Sequence, residues 1–150
     1  MVIMSIFAER LKELIEESGK SIDVIAAEMN HNVYDLYHWQ SGKSRYLLSV
    51  KNFVMLADYF GCSLTFLLGI DDVNTLPSPR RDIPPFSERF AAVLKEKGMS
   101  VYALAAKAGV SNTSVYYDWL NGKKSPRIDS LLKTAAAIGV TPDYLLGREN

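Results

Sequence analysis

The chain has 150 residues, 48% of them hydrophobic, and its 17 Lys/Arg are balanced by 17 Asp/Glu; this is enough apolar material for one medium domain or two small ones with packed cores. The lone Cys62 rules out an internal disulfide, no Cys/His group has metal-ligand spacing, and no apolar run approaches the ~20 residues of a bilayer span. The start, MVIMSIFAERLKELIEE, turns charged too early for a secretory leader, so a soluble, cytoplasmic protein is expected.

Taken in order, the first predicted helix covers about 5–17, with Ser5 as its N-cap and Ile6, Phe7, Leu11, Leu14 and Ile15 as its apolar stripe; Gly19 ends it. A second helix is expected over about 21–29 and a third over about 32–41. A longer connection, 42–48, leads to a fourth helix at about 49–60, whose stripe is Phe53, Leu56, Ala57 and Phe60. Gly61 breaks the chain and Ser63 opens a short fifth helix ending at Gly69. Residues 70–85 hold four of the six prolines and read as a semi-rigid linker. Fully extended, it would reach at most ~50 Å, against ~34 Å between successive major grooves on one face of DNA.

The next predicted helix starts near Pro85 with Ser87 as cap; Phe86, Phe90, Val93 and Leu94 form its stripe and Gly98 ends it. Val101, Leu104, Ala105 and Ala108 then recur at helical spacing, followed at once by Gly109, which suits a helix C-terminus. Ser111 is the expected N-cap of the next helix, where Val115 and Trp119 share a face and Asn121-Gly122 is the stop. A further helix over about 128–138 buries Leu131, Leu132 and Ala135, and Thr141-Pro142-Asp143 starts the last one. No strand pattern occurs.

The second half repeats the first. Ser21-Ile22-Asp23-Val24-Ile25-Ala26-Ala27 matches Ser100-Val101-Tyr102-Ala103-Leu104-Ala105-Ala106, and Trp39-Gln40-Ser41-Gly42-Lys43 matches Trp119-Leu120-Asn121-Gly122-Lys123. Phe66-Leu67-Leu68-Gly69 matches Tyr144-Leu145-Leu146-Gly147. An ordered set of matches over some 60 residues marks a tandem repeat. Helix, Gly-containing turn and helix over 100–123 form a helix-turn-helix pattern. The stretch resembles the phage repressor and Cro family, whose pattern is roughly S-x-x-x-L-A-x-x-x-G-V-S, a few residues, then W-x-x-G-K. The fold this implies is all-α: two tandem five-helix, lambda-repressor-like domains at 1–70 and 86–150, joined by a Pro-rich linker at 71–85.

In that family the third helix of each unit lies in the major groove, so the resemblance implies recognition helices at about 32–41 and 111–120. In the first, Asn32 would be the cap, Val33, Tyr34 and His38 would face the groove, and Leu36 and Trp39 would point inward. Ordinary surface residues are an equal reading for Val33 and Tyr34. In the second, Ser111, Asn112, Thr113 and Tyr117 are the groove-facing candidates, with Ser114 and Tyr116 as alternates. Asn112 has the chemistry for a bidentate contact to adenine; that Asn112 and Thr113 only cap the helix is as well supported. The family's Trp stands nine residues after the turn position. Asn30 to Trp39 is nine, but Gly109 to Trp119 is ten. One extra residue turns a helical face by about 100°, so either the second helix starts one residue later or its C-terminal part is shifted. Lys43, Arg45, Lys123, Lys124 and Arg127 follow the recognition helices and are candidate phosphate contacts. Ile22 and Val101 stand where the family commonly has a phosphate-binding Gln.

The function this implies is that of a sequence-specific, double-stranded-DNA-binding transcription regulator, repressor-like, with a homodimer open because the family often dimerises through its last helices. Residues 1–70 hold six Lys/Arg against eight Asp/Glu, a balance of −2, and residues 86–150 hold nine against six, a balance of +3. Charge therefore favours the second repeat as the DNA binder, while turn spacing favours the first. The neutral total, the acidic first repeat and the missing Gln pair support an alternative: an antirepressor or adaptor that kept the fold for protein interaction. No catalytic constellation, cofactor motif, metal site or small-molecule effector site is recognisable, so no enzymatic activity is expected.

Overall fold

The computed structural model describes residues 2–43 and 47–149. Among these residues there are ten α-helices and no strand. The chain divides into two compact units, Met1–Ser78 and Pro79–Asn150.

Unit 1 contains α1 (Val2–Ser18), α2 (Ile22–Met29), α3 (Val33–Gln40), α4 (Val50–Phe60) and α5 (Leu64–Leu67). Three of these helices begin at a serine whose Oγ accepts a backbone N–H two or three residues into the helix: Ser21 from Val24 (3.2 Å), Ser49 from Asn52 and Ser63 from Phe66 (3.1 Å each). α1 departs from expectation. It begins at Val2, so Ser5 lies inside the helix and not ahead of it. With the helix extended upstream, the buried stripe is Met4, Phe7, Leu11 and Leu14, and Ile6 is left 46% exposed. Phe7 meets Phe53 edge-on at 5.0 Å in the centre of the unit. α3 packs against α1 and α2, burying Leu36 and Trp39.

Unit 2 contains α6 (Phe86–Glu96), α7 (Val101–Ala108), α8 (Ser114–Leu120), α9 (Ile128–Ile138) and α10 (Pro142–Leu146). α8 packs on α6, α7 on α9, and α10 on both α6 and α9. Trp119 sits in an aromatic cluster, with ring centroids 5.1 Å from Tyr116, 5.4 Å from Phe90 and 5.7 Å from Phe86. Ser87, expected as the cap of α6, is its second residue; Pro85 precedes the helix and its carbonyl accepts the N–H groups of Glu88 and Arg89 (3.1 Å each). With proline at the cap position no side-chain cap bond is made. Leu131 and Ala135 are buried as expected, whereas Leu132 is half-buried. Thr141 caps α10 by accepting from the Tyr144 N–H at 2.9 Å.

One tie recurs in both units. Arg10 of α1 donates to the Phe66 carbonyl at 2.9 Å and lies 4.0 Å from the Phe66 ring centroid. Arg89 of α6 donates to the Tyr144 carbonyl at 2.8 Å and lies 4.7 Å from that ring. A guanidinium thus locks the last helix of each unit to its first. The Pro-rich stretch expected to be a semi-rigid linker is hydrogen-bonded within each unit. Asn74 accepts from the N–H of Ser63 (3.1 Å) and donates to the Gly61 carbonyl (2.9 Å), within unit 1. Within unit 2, the Arg80 N–H donates to the Arg148 carbonyl at 2.8 Å, while the Arg148 side chain pairs with Asp143 in the interior.

Trp119, in α8, is the largest side chain of the buried aromatic cluster. Trp119→Ala is expected to destabilise unit 2 by about 3–5 kcal/mol in urea unfolding. Unchanged stability with a loss of ligand binding alone would mean that the indole serves recognition and not the core.

Candidate nucleic-acid interface

In unit 2, Ser100 caps α7 by accepting from the Ala103 N–H (3.1 Å), and Gly109 ends it in the left-handed region, φ +69°, with its N–H turned back onto Ala105 and Ala106. An L-side chain there is strained, which is why a glycine suits the turn. In unit 1 the same place is held by Asn30, φ +53°, the one non-glycine residue with positive φ among the described residues; asparagine tolerates that region better than most.

The extra residue before Trp119 lies in the turn. The Asn112 side-chain oxygen accepts from the Ser114 N–H at 2.9 Å, and Asn32 accepts from the Tyr34 N–H at 2.8 Å, so the two asparagines are equivalent. From Asn32 to Trp39 is seven residues, and from Asn112 to Trp119 is also seven. The difference falls earlier: Asn32 is two residues after Asn30, and Asn112 three after Gly109. α8 therefore starts late and keeps the register of α3. Buried Leu36 and Trp39 correspond to buried Tyr116 and Trp119, and Tyr37 and Tyr117 are each 46% exposed. No rotation of the outward face has taken place. Ser111, expected to cap α8, is an exposed turn residue; Thr113 precedes the helix and makes no side-chain cap bond. Tyr116, an alternate groove-facing residue, is in the core and donates or accepts with Thr134 at 3.3 Å.

The other predicted residues fall as follows. In unit 1, Asn32, Tyr34, His38 and Lys43 are exposed, Tyr34 by 78%, while Val33 is half-buried. Arg45 lies outside the described residues. In unit 2, Asn112, Tyr117, Lys123, Lys124 and Arg127 are exposed and Thr113 is half-buried. With its oxygen engaged by the helix, Asn112 presents chiefly its amide NH2, so its capping role is realised. Ile22 and Val101, in place of the family's Gln, are half-buried. Tyr37 was not among the expected residues; counting from each asparagine sets it opposite Tyr117, a signal that counting from the glycine position hides.

The two surfaces differ in charge. Unit 1 has six Lys/Arg against ten Asp/Glu, a balance of −4, and unit 2 has eleven against seven, a balance of +4. On α3, Asp35 pairs with His31 at 2.9 Å. After α8 the chain turns back, with the N–H of Lys123 donating to the Asp118 carbonyl at 2.9 Å, which sets Lys123 and Lys124 beside the end of the helix, while Arg127 directly precedes α9. Among the described residues no group of three or more His, Cys, Asp or Glu is placed to hold a metal ion.

Residues 90–145 match a helix-turn-helix family model, so the match spans α7, the turn and α8 and lies wholly within unit 2. No curated protein matches the chain, and neither does any solved structure. The match supports a helix-turn-helix identity for this part of the chain and, at that level, a DNA-binding regulator.

The register can be tested by deletion. Removing Ser111 restores the turn length of unit 1 and is expected to leave the thermal midpoint within about 5 °C. Removing Val115 turns Trp119 by about 100° relative to the start of α8 and is expected to abolish the near-ultraviolet circular dichroism of the aromatic cluster. Equal damage from the two deletions contradicts the assignment.

Proposed function

We propose that the protein is a sequence-specific, repressor-like regulator that binds double-stranded DNA through unit 2, and that the chain is a tandem pair of helix-turn-helix copies of unequal function. The observation that carries this reading is a coincidence: the family match falls on the one unit with a basic balance of +4. A polyanion is held by that sign of charge, and cation–phosphate contacts supply most sequence-independent affinity. In this reading α8 enters the major groove. Asn112, Ser114 and Tyr117 meet base edges, and Thr113 supports the helix start. Lys123, Lys124 and Arg127 hold phosphates and set orientation without reading sequence. Ser111, in the longer turn, lies where the backbone passes.

Two copies are supported by the recurrence of left-handed residues at matching places. Gly19, Asn30, Gly42, Gly61 and Gly69 correspond to Gly98, Gly109, Gly122, Gly139 and Gly147. Unit 1 keeps that scaffold but has a balance of −4 and places Asp35 in the first turn of α3. Its outward face, with Tyr34 and Tyr37 exposed, suits a protein partner better than a phosphate backbone. Unit 1 is therefore assigned to interaction, with a second copy of the chain as the simplest partner. Among the described residues no helix is long and apolar enough to cross a membrane, in keeping with a cytoplasmic regulator.

Fluorescence anisotropy against mixed genomic duplexes at two salt concentrations tests the reading. Binding is expected to weaken steeply with salt. Replacing Lys123, Lys124 and Arg127 together by Ala should weaken binding to every sequence and flatten the slope of log K against log salt by roughly 2–3, at ~0.9 per phosphate lost. No binding at ~50 mM salt, where phosphate contacts are strongest, would sink the proposal.

A further inference from the structure

Two of the three cations proposed to hold phosphate already face a carboxylate of their own unit. Lys124 Nζ lies 3.8 Å from Asp118 Oδ2, and Arg127 Nε lies 3.5 Å from Asp129 Oδ1. Both arrangements are built into the backbone. The N–H groups of Lys123 and Lys124 donate to the Asp118 carbonyl (2.9 and 3.4 Å), so the reversal after α8 folds Lys124 back over the helix. Asp129 Oδ1 also accepts the Ser130 N–H at 2.9 Å in the first turn of α9, which fixes the carboxylate that Arg127 meets. Asp118 is the odd residue here. It lies half-buried in the proposed recognition helix of the basic unit, at the place where α3 carries His38.

We propose that Asp118 and Asp129 restrain sequence-independent DNA binding by competing with phosphate for Lys124 and Arg127. The inference rests on the assignment of DNA binding to unit 2. A carboxylate and a phosphodiester offer the same acceptor chemistry to an ammonium or guanidinium. Exposed ion pairs are weak, so a phosphate held in the right place by base contacts displaces the carboxylate. A phosphate offered by arbitrary sequence gains little from the exchange, and the released carboxylate then stands beside it and repels it. Specificity of this kind comes from penalising the wrong complex, not from strengthening the right one.

The test uses the full-length chain and a mixed-sequence duplex. Asp118→Asn and Asp129→Asn keep size and hydrogen-bonding capacity while removing the charge. The double variant is expected to bind the duplex at least ~10-fold more tightly at ~50 mM salt, with a slope steeper by up to ~0.9 for each cation released. Glu149→Gln is the charge-matched control for the Asp118→Asn single variant: Glu149 accepts from Thr141 at the start of α10 and pairs with none of the three cations, and its neutralisation should leave the slope unchanged. If Asp118→Asn changes affinity and slope no more than Glu149→Gln does, the carboxylates are not competitors and the inference is overturned. If neither the native chain nor the double variant binds the duplex, the DNA-binding assignment of unit 2 falls, and this inference with it.

Discussion

Burial of one tryptophan in the third helix of each unit decides which side of that helix looks outward. Trp39 and Trp119 stand seven residues after an asparagine whose side chain accepts the N–H two residues on. Once the indole is in the core, every other position on the helix is set by the 100° step. The constraint also explains where the extra residue of unit 2 went. Placed inside α8, it would have swung Trp119 out of its cluster with Phe86, Phe90 and Tyr116 and brought polar neighbours such as Asp118 toward the core, where an unpaired charge is costly. In the turn it disturbs only local backbone, and Asn112 restores the helix start.

Upon this common scaffold the two units carry different chemistry. Their helices end at matching left-handed residues, and each fastens its last helix with an arginine from its first. Their surfaces have opposite balances of −4 and +4. Such a division makes the neutral total of the chain a poor guide to its ligands, because a polyanion meets a surface and not a sum. The basic unit is itself tempered, since carboxylates stand against Lys124 and Arg127. The family match to 90–145 agrees with the basic unit as the carrier of the helix-turn-helix character.

Much of the fold was legible in the sequence because helix ends are written in local chemistry. Asn32 caps α3 as expected, α5 and α10 open at Ser63 and Thr141 as read from the sequence, and α9 runs from Ile128 to Ile138 as its apolar spacing predicts. Ser5 and Ser87 misled because a serine near the start of an apolar stripe resembles a cap even where the helix begins earlier, at Val2 with Met4 buried or at Phe86. The insertion in unit 2 was visible as a count, but a count from Gly109 to Trp119 is the same whether the turn or the helix is longer. The hydrogen bond from the Ser114 N–H to Asn112 and the matching burial of Trp39 and Trp119 distinguish them. The role of Asn74 was hidden for another reason: its partners, Gly61 and Ser63, lie more than ten residues away in the chain. Of the candidate residues, the exposure of Asn112, Tyr117, Lys123, Lys124 and Arg127 agrees with the outward face read from the sequence. The exposure of Tyr37, the burial of Tyr116 and the ion pair at Lys124 depend on packing and chain reversal.

In the proposed division of roles one unit, the basic one, meets DNA. An amide-proton NMR titration of the full-length 15N-labelled chain with a mixed-sequence duplex at low salt addresses it residue by residue. Binding through unit 2 predicts that shift changes concentrate in the turn before α8, along Ser114–Leu120 and through Lys123–Arg127, with α3 of unit 1 little affected. Shift changes of equal size along Val33–Gln40, or changes confined to that helix, would contradict it.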